Sequence, residues 1–169
     1  RCSLAALSLA AACRDTLFRD GYAAYCAAQE KRVTPALENV VEANIYLSGI
    51  GFESGGLSIA HAVNNGLSAI PACQTVMHGE KVAFGTLVQL WLEGNREEFG
   101  RVRAFHRRVG LPVTLHQLGL DAPDAELLMP AAEIACDRGD VMGSMPVGIT
   151  PQDICRAMIA VDQNSGELD

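Results

Sequence analysis

Basic residues are in short supply in this chain: 13 lysines and arginines stand against 20 aspartates and glutamates, leaving a formal net charge of -7. That balance excludes a surface built to track the phosphates of a nucleic acid. The one basic cluster, Arg101, Arg103, Arg107 and Arg108, falls at helical spacings and reads as a solvated helix face. A long apolar run is also lacking. The opening RCSLAALSLAAAC is too short to span a membrane, and its helical pattern continues through Cys13 into Leu17 and Phe18 with no cleavage-like boundary, so neither an anchor nor a leader is expected. The six cysteines (Cys2, Cys13, Cys26, Cys73, Cys136, Cys155) form no CxxC pair, and a chain this rich in ordinary core residues needs no disulfides. A reduced, cytoplasmic setting is expected. No GxSxG elbow surrounds Ser48, Ser54 or Ser58, which leaves serine hydrolysis without support. No stretch alternates β-branched residues for long enough to demand a sheet.

What the chain does have is apolar content at helical periods. With 169 residues, 49% of them hydrophobic, it can bury a full-sized core, and a single compact all-α domain is expected. Leu4, Leu7, Ala11 and Leu17 line a first helix ending near Asp20-Gly21, and a short second helix runs from Tyr22 to Gln29. Thr34-Pro35 is a start signal, threonine as cap and proline in the first turn. Leu37, Val40, Val41, Asn44, Ile45 and Ser48 follow until Gly49 ends the pattern. The link 49–56 holds four glycines in eight residues and reads as tight turns; it lacks both the GxGxxG spacing and the preceding strand of a dinucleotide fingerprint. Further helices are expected over 57–65 (closed by Gly66), 79–93 (closed by Gly94), 97–109 (closed by Gly110 and Pro112), 123–137 with a break or kink at Pro130, and from Thr150-Pro151 to about Gln163. Neither an initiator methionine nor a capping residue is read before Leu4, so the chain is expected to begin inside a larger protein.

Two of the four histidines stand out. His61 sits within the apolar helix LSIAHAVNNG, where a buried ring needs partners for both nitrogens, and His78 opens the next helix in VMHGEKVAFG beside a glycine. Two helices joined by a short connection can turn these rings toward one point. A catalytic zinc site uses three protein ligands and one open position, often two imidazoles and a carboxylate. Glu53 and Glu80 are near in sequence, but each has an equally good role as a capping or ion-paired residue, and spacing selects neither. A hydrogen-bonded structural role for each histidine also stays open. His106, in the arginine-rich FGRVRAFHRRVG, is expected to be exposed, and His116 follows the turn at Pro112.

VTPALENVVEANIYLSGIGFESGGLSIAHAVNNGLSAIP, followed by HGEKVAFGTLVQL, closely resembles the bacterial glycerol dehydrogenases, a group within the iron-containing alcohol dehydrogenases. The likeness extends to GLPVTLHQLG, the turn at Met145 to Gly148 and the closing TPQDICRAMIAVDQ. It implies the multi-helical C-terminal domain of a dehydroquinate synthase-like fold over residues 1–169, with the N-terminal NAD-binding domain absent from this chain. It further implies oxidation of glycerol to dihydroxyacetone with hydride transfer to NAD, assisted by one zinc ion per subunit that lowers the pKa of the reacting hydroxyl. By the same resemblance His61 and His78 match the two histidine ligands. The third, an aspartate in a GxGDA-type segment, is expected upstream of Arg1. Phe52 and the small residues of 49–56 are candidates for the apolar wall of the substrate pocket. Glycerol or related vicinal diols are the expected substrates, and a homo-oligomer the expected assembly.

Two positions depart from the family pattern. Asn64 stands where close relatives often carry histidine, and Gln74-Thr75 replace a histidine-rich patch before His78. Both are expected to lie outside the ligand set and to act only through the groups behind it. The competing expectation is a helical assembly or interaction domain with no chemistry of its own, in which the histidines simply pack.

Overall fold

The computed structural model describes residues 2–137 and 148–164, and among these the secondary structure is entirely helical. The turn read at Met145 to Gly148 lies outside the described residues except for Gly148 itself. The chain divides into two compact units, residues 1–56 and 57–169, where a single domain was expected.

In the first unit α1 (Leu4–Gln29) is one continuous helix, not two. Gly21 does not stop it, because the residue is buried within the helix and adopts no left-handed turn. A cap does precede Leu4: the Ser3 hydroxyl accepts from the Ala6 N–H at 3.1 Å. The buried residues are Ala6, Gly21, Ala24 and Ala27, whereas Leu4 and Leu7 are exposed, so the packing side of α1 is the one carrying small residues. Helix α2 (Pro35–Glu42) starts as its sequence says, with Thr34 Oγ1 accepting from Leu37 N–H and proline in the first turn. It passes without interruption into a π-helical turn (Ala43–Leu47) and α3 (Ser48–Gly55). The glycine-rich link is therefore mostly helix. Gly49 ends nothing; the stop comes at Gly56, whose φ of 79° only glycine adopts readily. Gly51 packs directly on the backbone of Ala10, and Asn39 donates to Asp20 at 2.8 Å, tying α2 to α1.

The second unit holds α4 (Ile59–Ser68), α5 (His78–Leu92), α6 (Arg96–Arg108), α7 (Ala125–Cys136) and α8 (Pro151–Asn164), with single 3-10 turns at Pro71–Cys73 and His116–Leu118. Gly94 and Gly110 both take positive φ just past their helices, as expected. Gly66 does not terminate α4 but lies inside it, where a Cβ would stand 2.1 Å from the carbonyl oxygen of Ala131 on α7. Helix α7 continues through Pro130 without breaking, forgoing one backbone bond there. A capping box opens α8, Thr150 and Asp153 each accepting from the other's backbone N–H. Phe84, Leu87 and Val88 of α5, Ile59, Val63 and Leu67 of α4, Leu128 of α7, and Ile154 and Met158 of α8 form one buried core.

Two expectations for α6 are overturned. His106 is buried, 7% exposed, and Arg103 is nearly as deep at 8%. The arginine pattern misleads because only part of it faces solvent: Arg103 turns inward, its guanidinium over the ring of Phe99 and bonded to the backbone oxygen of Asn164.

Candidate metal centre

The site begins with the contact between α4 and α5. A Cβ at Gly85 would meet the carbonyl oxygen of Ala60 at 2.3 Å, so the two helices approach as closely as they do only because residue 85 has no side chain. One turn further along α5, Gln89 Oε1 accepts from the Ala60 N–H at 3.3 Å, serving one of the first-turn donors of α4 that have no intrahelical partner. These contacts fix α4 against α5 beside His61, the third residue of α4.

His78 is the first residue of α5. The helix start is held by Glu80, whose Oε2 accepts from the Met77 N–H at 2.9 Å. Glu80 thus takes the capping role left open for it. The exposed imidazole of His78 and the half-buried one of His61 come together with ring centres 5.5 Å apart and planes inclined by 47°. Burial, and secondarily the charge of a protonated His78, hold the His61 pKa below its usual value. Both act toward the neutral imidazole, the form that binds a metal.

This geometry suits one cation between the rings. Two imidazoles on a tetrahedral zinc with bonds of about 2.0–2.1 Å place their ring centres about 5 Å apart, close to the observed separation. Among the described residues no third histidine, cysteine or carboxylate completes a group of three.

The other sequence candidates are placed as follows. Phe52 lies on α3 in the first unit and is 53% exposed; Glu53 beside it is exposed as well. Asn64, one turn beyond His61, is only 5% exposed; its Nδ2 donates to Asn65 at 3.1 Å and its Oδ1 has no partner. His116 is exposed and pairs with Asp121. Gln89, which bonds the start of α4, carried no sequence signal, and near the site Lys81 is unexpectedly buried at 6% exposed. Lys81 was detectable in principle, because it falls in step with the buried positions Phe84, Gly85 and Val88 of its helix.

No family model matches the chain. Individual proteins do. The glycerol dehydrogenase of Escherichia coli O6:H1 is 51% identical over 164 residues, covering 96% of this chain and 45% of that protein. A glycolaldehyde reductase of Halobacterium salinarum is 40% identical over 92% of this chain and 43% of its own length. The crystal structure of a probable glycerol dehydrogenase from Sinorhizobium meliloti superposes with a TM-score of 0.95 at 39% identity, covering all of this chain and 48% of that one. The chain therefore spans less than half the length of the curated relatives it matches. In sequence along nearly all its length, and in its all-α architecture, the chain is homologous to the helical C-terminal domain of the glycerol dehydrogenases of the iron-containing alcohol dehydrogenase family.

Proposed function

We propose that residues 1–169 are the metal-ligating helical part of an NAD-dependent glycerol dehydrogenase. The observation that carries this is the pairing of His61 and His78 at a separation suited to one zinc ion, in a chain half identical to an enzyme of that name. In this reading His61 and His78 supply two ligands, an aspartate outside residues 1–169 supplies the third, and an NAD-binding domain likewise lies outside them. Zinc, when bound, supplies a Lewis acid that makes the substrate hydroxyl easier to deprotonate.

The chain's own residues make a rigid platform. The glycine-mediated contact of α4 with α5 and the capping by Gln89 and Glu80 hold both imidazoles before any ligand arrives, so little ordering is needed on binding. The half-buried setting of His61 favours its neutral form. Glycerol is the substrate favoured by the relatives' names, with other vicinal diols fitting the same chemistry; the working form is a cytoplasmic homo-oligomer. Among the described residues no helix is long and apolar enough to cross a membrane.

A second reading, a helical assembly surface without chemistry, is favoured by the exposed apolar strip of Val33, Val41, Ile45 and Tyr46 on the first unit. Metal separates the two. In the full-length protein, chelator treatment should abolish NAD-linked glycerol oxidation and added zinc should restore it; activity indifferent to the chelator after the metal is shown to be gone sinks the metal-centred reading.

A further inference from the structure

Lys81 is an ammonium placed inside the second unit, 6% exposed and three residues after His78. A charge so deeply buried has strong reason to keep whatever acceptor it has, since releasing it leaves the group both desolvated and unpaired. Its acceptor is the backbone carbonyl of Cys73, 3.4 Å from Nζ. That carbonyl belongs to the last residue of the 3-10 turn Pro71–Cys73 and also accepts from the Val76 N–H at 3.2 Å, so Lys81 grips the end of the turn from which the chain runs to His78.

The same turn is held from its other side. Cys73 is fully buried, its thiol donates to the Leu118 carbonyl at 3.4 Å, and Gly119, at φ 88°, leaves room for the Ala72 carbonyl, which would stand 3.1 Å from any Cβ there. His78 itself is exposed at the first position of α5, where the helix's own hydrogen bonds constrain it least. Beyond the Glu80 cap and the packing of α5 on α4, its position therefore depends on what fixes the preceding segment.

We propose that Lys81 is a positioning residue for the metal centre: by bonding the Cys73 carbonyl it fixes segment 71–77 and thereby presents His78 to His61. This rests on the reading of the two histidines as ligands, but the fixing of the segment does not require metal to be present.

The test uses full-length protein carrying Lys81→Met, which keeps the length of the side chain and loses the donor, and Lys81→Gln, whose amide N–H retains one. Hydrogen exchange is followed in the metal-free state, and zinc affinity is measured by chelator competition. In Lys81→Met the amides of 74–78 should exchange at least about ten-fold faster while the middle of α5 stays protected, and zinc should bind about ten-fold more weakly, in the range that loss of a group behind a metal ligand produces. Lys81→Gln should recover part of both. Wild-type exchange at 74–78 in Lys81→Met overturns the proposal. So does uniform loosening of the whole unit in both variants, since Lys81 would then be a general packing residue. A His78→Ala control should lose zinc with exchange at 74–77 unchanged. Absence of zinc binding by the wild type would refute the metal reading, while the exchange experiment would still decide whether Lys81 holds the segment.

Discussion

His106 carries an acid sensitivity that its sequence neighbours conceal. Buried on α6 with Nδ1 unpartnered, it has its pKa pushed down by burial to about 4 from 6.5. The unfolded chain takes up a proton near pH 6.5 while the folded one refuses it until about pH 4. Stability should therefore be fullest above pH 6.5 and decline as the pH falls toward 4, by up to about 3 kcal/mol. Denaturant midpoints measured between pH 7 and pH 4.5 should show this slope, and His106→Leu should flatten it; an equal slope in the variant would place the acid sensitivity elsewhere. His61 and His78 make the opposite kind of case, functional in expectation and not deeply buried. In the full-length protein, His61→Ala or His78→Ala should remove zinc and glycerol oxidation together and leave NAD affinity within about two-fold, because the cofactor is assigned to the other domain. Near-normal turnover of His78→Ala at low zinc would contradict the ligand assignment. That the two rings come together was legible, since helices joined by a short connection can turn them toward one point, but their choice as ligands came from the resemblance alone. The burial of His106 was not legible, because its flanking arginines suggested solvent, and whether a helix position is covered depends on partners remote in sequence, here as at Arg103, which reaches Asn164.

Among the elements, helix starts were easier to read than helix ends. Thr34-Pro35 and Thr150-Pro151 open helices where expected, since a side-chain cap is a local device. Gly21, Gly49 and Gly66 all looked like stops and none is. A glycine ends a helix only when it takes up a left-handed conformation, as Gly94 and Gly110 do; Gly66 and Gly85 serve close approach instead, and nothing local distinguishes the two uses. Substitution does distinguish them. Gly66→Ala and Gly85→Ala should each destabilise the chain by roughly 1–3 kcal/mol or more, because the new Cβ meets the backbone carbonyl of Ala131 or Ala60. Gly85→Ala should also weaken zinc binding by moving α5 on α4. Gly49→Ala, with nothing within 4 Å of the added carbon and a helical backbone, should stabilise by about 0.5–1 kcal/mol. Thermal or denaturant unfolding of the three variants side by side checks the ordering; a neutral Gly66→Ala would mean that α4 and α7 can separate at little cost.

For the molecule as a whole, the all-α class was readable from periodicity alone, but the division into two units was not. The join at Gly56 sits in a glycine-rich stretch whose other glycines are helical, so composition could not mark it. Given the proposed division of labour, the 169-residue chain supplied with glycerol, NAD and zinc should form no NADH, whereas the full-length protein should. Turnover by the chain alone, once contamination by full-length enzyme is excluded by mass spectrometry, would overturn that division. The second unit has its own core, and both imidazoles belong to it. A gene segment encoding only residues 57–169 should accordingly make a protein that clings to a nickel-charged resin with no added tag, is washed off by free imidazole, and slips through the column once His61 is changed to alanine; such behaviour would make the second unit a purification handle that could be moved onto other proteins.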